Sequence, residues 1–188
     1  MNRSVSEVSG RLMEVVRAHR ALDENEMMHK DHVLRFVGAS ANPMDRTVFD
    51  PGHITGSAFV ASDDGRRVLL IHHAKLNRWL QPGGHAEAGE TDAREVARRE
   101  AREEVGLETG ADAGELFDID VHTIPARGEQ PAHFHFDLRY LFLVPHGEVT
   151  AADEVLDARW FELDEAERIV NEHGLRRMIG KLRDRFAR

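Results

Sequence analysis

Residues 81–107 read QPGGHAEAGETDAREVARREAREEVGL and carry three carboxylates, Glu100, Glu103 and Glu104, close together. Thr91 or Asp92 is a cap-forming residue type and Gly106 a helix stop, so the segment predicts a helix over 91–105. At about 100° per residue, Glu100 and Glu104 fall among Ala93, Val96 and Ala97, and Glu103 falls beside Val96. Arg94, Glu95, Arg98 and Arg102 point the other way, with Arg99 at the edge. All three glutamates are therefore expected beside the apolar stripe.

That placement needs a physical reason. Like charges four apart on a helix repel, and a carboxylate taken partly out of water is costly without a partner. A hard divalent cation with oxygen ligands removes both penalties. The competing reading is a surface helix held by pairs such as Glu95 with Arg99. Ahead of the helix, Gly83 and Gly84 permit a close backbone approach to a ligand, although a glycine pair also suits an ordinary tight turn. Pro82 fixes the chain before them, and Trp79 and Leu80 can anchor it in a core.

Outward from this stretch, short apolar runs at 54–61 and 68–71 read as strands joined at Asp63-Asp64-Gly65, a hairpin turn signal. Residues 72–90 read as a loop. Further strands are expected at 116–124, 133–144 and 158–161, and helices at 164–171 and 175–186. The last helix sets Leu175, Met178, Ile179, Leu182 and Phe186 in one stripe, with Arg176, Arg177, Lys181, Arg183 and Arg185 as a solvated basic face. Toward the N-terminus, Val8, Leu12, Val15 and Val16 recur at helical spacing over 4–20, with Ser4 as a candidate cap. A second helix is expected at 24–37, ended by Gly38 and Asn42-Pro43. The order of elements predicts an α/β sandwich, a mixed sheet with helices on both faces. It divides into a helical N-terminal extension, 1–40, and a main domain, 41–188.

Composition narrows the function classes. The 188 residues suit one main core, and the absence of cysteine removes disulfides, thiolate zinc sites and cysteine nucleophiles. A net charge of -9 disfavours nucleic acid duplexes and anionic membranes as partners, because both are attracted by positive fields. No stretch is apolar enough to read as a signal peptide or membrane span, and a reducing cytoplasmic setting is the expectation.

Taken together, Gly84, Glu90, Arg99, Glu100, Glu103, Glu104, Gly106 and Leu107 resemble the Nudix box, G-x5-E-x7-R-E-U-x-E-E-x-G-U, where U is a bulky aliphatic residue. Two positions depart from it. Thr91 to Arg98 put eight residues between Glu90 and Arg99 where the box has seven, and Ala101 replaces a larger aliphatic residue. The extra residue bears on Glu90 and leaves the R-E-x-x-E-E spacing intact.

The resemblance implies a Nudix-type α/β/α fold and a pyrophosphohydrolase splitting the diphosphate of a nucleoside diphosphate linked to another group. It also implies Mg²⁺, with Mn²⁺ as a substitute, held by Glu100, Glu103, Glu104 and the Gly83 carbonyl. Arg99 would orient a glutamate of the box. The general base would be a box glutamate or Glu154, in the loop that also holds Glu148 and Asp153. His73, Lys75, Arg78 and His85 are the candidate substrate contacts. The alternative is a non-catalytic Nudix-like nucleotide-binding or regulatory module. The isomerase branch of the fold relies on a cysteine this chain lacks.

Two expectations concern the remaining polar residues. His133, His135, Asp137 and Arg139 alternate onto one face of their strand, either lining the substrate groove or facing solvent. The H-x-H pair can also bind a transition metal. The twelve histidines overall look too scattered along the chain to form one metal cluster. The N-terminal helices are expected to cover a groove edge or to form a homodimer contact.

Overall fold

The computed structural model describes residues 5–110, 113–152 and 155–187. The chain runs α1 (Val5–Ala18), α2 (Glu24–Ala39), β1 (Gly52–Ser62), β2 (Arg67–His73), β3 (Arg78–Leu80), β4 (Gly83–His85), α3 (Ala93–Val105), β5 (Glu115–Ile124), β6 (His133–Val144), β7 (Val155–Glu162), α4 (Leu163–Ile169) and α5 (His173–Phe186). The expected loop at 72–90 thus contains two three-residue strands, too short to leave a period-2 signature. The Ser4 cap lies outside the described residues.

The strands form one mixed sheet in the order β3-β2-β1-β6-β5, with β4 also on β1 and β7 also on β2. β1 and β6 run parallel at its centre, pairing Gly52 with Phe134 through to Ser62 with Val144. Every residue of β1 is buried, as expected of a central strand covered on both faces. Alternate side chains serve two cores. Ile54, Ala58, Val60, Phe136, Leu138 and Phe142 pack with α1, α2 and α3, whereas Phe59, Ala61 and Leu141 pack with α4 and α5.

α3 sits against β1 at Gly56, where an added Cβ would lie 2.2 Å from the Ala93 carbonyl oxygen. Asp92 caps the helix by accepting from the Arg94 N–H, and Gly106 ends it in the left-handed conformation. The N-terminal helices are built onto the sheet. Phe36 of α2 stacks on Phe136 of β6 at 4.1 Å between ring centroids. The outer edge of β5 is covered by α2, with the Ile119 N–H donating to Glu26 and the Val121 N–H to His29 Nδ1, each at 3.3 Å. An uncovered strand edge would invite pairing with another chain; α2 occupies this part of it.

The basic face of the last helix is not uniformly solvated. Arg177 is buried and donates to both carboxylate oxygens of Asp118 at 2.8 Å. Lys181 bridges Glu26 and Asp118 at 2.5 and 2.9 Å. Phe186, placed in the apolar stripe by periodicity, is exposed and lies against Gly65.

Candidate active site

The carboxylates of α3 are organised by Arg99, which is mostly shielded from water. Its Nε and Nη2 donate to the two oxygens of Glu90 at 2.9 and 3.1 Å. Nη1 reaches Glu100 Oε1 at 2.8 Å and Glu103 Oε2 at 2.9 Å, and Nη2 also donates to the His85 carbonyl at 2.8 Å. Five bonds of this kind use the forked guanidinium fully and fix its plane.

Glu90 reaches Arg99 despite the extra residue between them. The Glu90 N–H donates to the Glu87 carbonyl and the Glu87 N–H returns to Glu90 Oε2, closing a turn that delivers Glu90 to Arg99. Burial pushes the Glu90 carboxyl up, but the bonds from Arg99 and the Glu87 N–H outweigh it and hold the carboxyl below its usual range.

β4 brings the glycine pair against the same helix. The Gly83 N–H donates to Glu104 Oε2 at 3.1 Å. At Gly84 an added Cβ would lie 2.2 Å from Glu100 Oε1, so the close approach depends on the missing side chain. Burial raises the Glu100 carboxyl, and Arg99 offsets that only in part. Helix geometry placed Glu103 beside the apolar stripe; its side chain is instead 47% exposed, and it sits on the solvent rim of the group.

The excess negative charge answers whether a divalent cation fits. Glu90, Glu100 and Glu103 gather three carboxylates around one guanidinium, and Glu104, held by the Gly83 N–H, adds a fourth on the same helix. Oxygen donors with surplus negative charge at a half-open helix face match what Mg²⁺ or Mn²⁺ takes.

Next to this group runs the segment that leads into β7. The Thr150 N–H donates to the Val105 carbonyl and the Ala152 N–H to the Glu104 carbonyl at 3.0 Å. Asp153 and Glu154, the next two positions in the sequence, lie outside the described residues. The β2–β3 hairpin carries His73, paired with Arg78 across the turn and with Val155 of β7. Lys75 and Arg78 are exposed at its tip, and the Lys75 N–H donates to His73 Nδ1 at 3.2 Å.

His85, also a candidate contact, lies elsewhere, on β4. Its Nε2 is 3.1 Å from His135 Nε2. His53 joins them, with ring centroids 5.1 Å from His85 and 5.0 Å from His135. Scatter along the chain is therefore no guide here: His53, His85 and His135 form a group whose ligand atoms all lie within 4.8 Å of one another. Burial lowers all three, and neighbouring histidines lower His85 and His135 further, to about 4 and about 2. The H-x-H pair was the sequence signal; His53 gave none, because its neighbours are set by strand register.

The polar face of β6 is neither solvated nor an open groove wall along its length. Asp137 accepts from Thr55 and Ser57 of β1 at 2.9 Å, and Arg139, 1% exposed, donates to Asp137 at 2.8 Å and to Glu172 at 2.5 Å. This end of the strand carries a buried ion network.

A NUDIX domain model matches residues 52–182. No curated protein sequence matches the chain. Among solved structures, the chain is similar to the C. elegans Ap4A hydrolase at 19% identity, covering 71% of this chain and 97% of that one with a TM-score of 0.51. It is likewise similar to the E. coli dihydroneopterin triphosphate pyrophosphohydrolase, at 20% identity over 68% and 92% with a TM-score of 0.55. The NUDIX domain of Shewanella oneidensis NrtR, complexed with ADP ribose, matches at 17% identity over 80% and 96% with a TM-score of 0.56. These likenesses speak for the fold. Among the described residues, no helix is long and apolar enough to cross a membrane.

Proposed function

The chain belongs to the Nudix family of hydrolases acting on phosphoric anhydrides, and on that premise we propose that it cleaves the diphosphate of a nucleoside diphosphate linked to another group, with Mg²⁺ as cofactor. The observation that carries this reading is the intact carboxylate group around Arg99, with Glu90 included despite the extra residue. Glu100, Glu103, Glu104 and the Gly83 carbonyl are the residues that would hold the cation, with Mn²⁺ as a substitute. Bound there, such an ion supplies positive charge against the phosphoryl oxygens as charge develops in the transition state.

The rest is done by the chain itself. Arg99 holds Glu90, Glu100 and Glu103 in fixed orientations, so little reorganisation is needed when substrate arrives. Gly84 lets Glu100 approach the backbone of β4, and the Gly83 N–H holds Glu104 in place. Glu104, or Glu154 beyond the Ala152 tether, takes the proton from the attacking water. Lys75 and Arg78 meet phosphate charge at the hairpin tip, and His73 the adjoining polar group. The His85 carbonyl accepts from Arg99 and its Nε2 lies 3.1 Å from His135 Nε2, which supports a role in the wall of the substrate site. We place the domain boundary near residue 40, with the two N-terminal helices serving the sheet edge, so that a homodimer is not required to cover that part of it.

A phosphate-release screen with Mg²⁺ across nucleoside triphosphates, dinucleoside polyphosphates, ADP-ribose and nucleotide sugars tests the proposal. At least one class is expected to turn over, and Glu103→Gln/Glu104→Gln is expected to abolish turnover with the thermal midpoint preserved. Full activity in the double variant defeats the assignment. Tight binding of a nucleotide without release of product would favour the regulatory module instead.

A further inference from the structure

The histidine group beside the carboxylate site is built from three strands. Strand register places His53 of β1 opposite His135 of β6, and His135 opposite His122 of β5. β4 pairs antiparallel with β1 and puts His85 opposite Thr55, two positions along from His53. Side chains two apart on a strand share a face, so the rings converge on one side of the sheet.

The nitrogen atoms are prepared for a ligand. His53 is 1% exposed, and its Nδ1 bonds the Val48 carbonyl at 2.8 Å, which fixes that nitrogen as the N–H donor. Its Nε2, left as a lone-pair acceptor, is buried without a hydrogen-bond partner among the described residues. A buried imidazole nitrogen with nothing to accept is costly. His85 Nε2 and His135 Nε2, at 3.1 Å, can share at most one proton between them, and neither supplies a hydrogen to His53 while doing so.

We infer that His53, His85 and His135 form a second cation site, distinct from the carboxylate face, that takes a borderline transition ion such as Zn²⁺ through three neutral imidazoles. Zinc–nitrogen bonds of about 2.0–2.1 Å in a tetrahedral site set nitrogen atoms about 3.3 Å apart. The His85–His135 pair already has that spacing, and the widest separation in the group, within 4.8 Å, closes by side-chain shifts of about 1 Å. Imidazole nitrogen selects such ions, whereas Mg²⁺ prefers oxygen. A carbonyl behind a ligating ring, as Val48 stands behind His53, is the usual support for a metal-bound histidine. His133, with its Nδ1 on the Pro131 carbonyl at 2.9 Å, and His122, with its Nδ1 on Asp120 at 2.9 Å, flank the group with similar support. The consequence for the fold is a clamp. β4 is three residues long and its ladder is to β1; an ion joining His85 to His53 and His135 would fix the strand that carries Gly83 and Gly84 to the glutamates.

Zinc is the probe, and the Glu103→Gln/Glu104→Gln chain is the background, so that turnover does not enter the result and the carboxylate face lacks two of its charged ligands. After chelation, dialysis against Zn²⁺ and removal of excess, about one zinc per chain is expected, with a raised thermal midpoint. Adding His135→Gln, or separately His53→Gln, is expected to weaken zinc binding by more than the roughly 10–100-fold that loss of a supporting group costs. X-ray absorption on the zinc-loaded background chain is expected to show imidazole nitrogens at about 2.0–2.1 Å, which decides the matter even if His53→Gln does not fold. No retained zinc, an oxygen-only shell, or unchanged zinc content in His135→Gln would overturn the site.

Discussion

Arg99 grips Glu90 with two parallel hydrogen bonds, at 2.9 and 3.1 Å, across nine positions of sequence and one residue more than the box spacing allows. The same guanidinium reaches Glu100 and Glu103 through Nη1. A lysine has the charge but not the fork. Arg99→Lys is therefore expected to keep the fold and lower kcat/KM by about ten- to a hundredfold, the equivalent of one or two charge-assisted hydrogen bonds. Steady-state kinetics on the best substrate of the screen, alongside a thermal melt, checks it; equal rates would show that the fork does not organise the site.

Two glycines that look alike in sequence are expected to respond differently. At Gly84 the added methyl meets the far end of the Glu100 side chain, which can swing aside. Gly84→Ala should cost activity at least tenfold with stability changed by less than about 1 kcal/mol. At Gly56 the methyl meets the Ala93 carbonyl at 2.2 Å and the Val96 Cβ at 3.0 Å, neither of which can move without displacing α3. Gly56→Ala should destabilise by about 1–3 kcal/mol, read by urea unfolding of both variants.

Removing Arg139 should do more damage than removing a surface arginine. Its side chain is 1% exposed and serves Asp120, Asp137 and Glu172. Arg139→Met leaves buried carboxylates uncompensated and is expected to cost about 3–5 kcal/mol. Arg159→Met, at a side chain 58% exposed, should stay within about 1 kcal/mol. Chemical denaturation of the two variants side by side makes the comparison.

Acid stability should depend on Glu26. Burial pushes its carboxyl up, but hydrogen bonds from His19, the Leu22 N–H and Lys181 outweigh this and hold it at about 2 against an ordinary 4.5. A depressed carboxyl binds its proton later in the folded chain than in the unfolded one, so its contribution is full above pH 4.5 and is lost as pH falls toward 2. In Glu26→Gln the slope of unfolding free energy against pH across that window should drop by up to about one proton. Urea titrations at stepped pH measure this, and an unchanged slope would remove Glu26 from the account.

The helix of the box, its stop at Gly106, the central strands and the α/β order were legible in the sequence, because these follow from periodicity and short-range sterics; the cap was narrowed to Thr91 or Asp92, and the bond to the Arg94 N–H selects Asp92. It also placed Glu100 and Glu104 beside the apolar stripe, which one turn of helix geometry suffices to do. The remaining features depend on pairings between distant residues. The register of β1 on β6 joined His53 to His135, 82 positions apart, and turned scattered histidines into a group. Docking of α2 and α5 on the edge strand buried Arg177 beside Asp118 and tied Lys181 to Glu26, where a helical wheel shows only a basic face. Glu103 moved to the rim because its exposure is set by what β4 and its loop cover, and no local pattern encodes that.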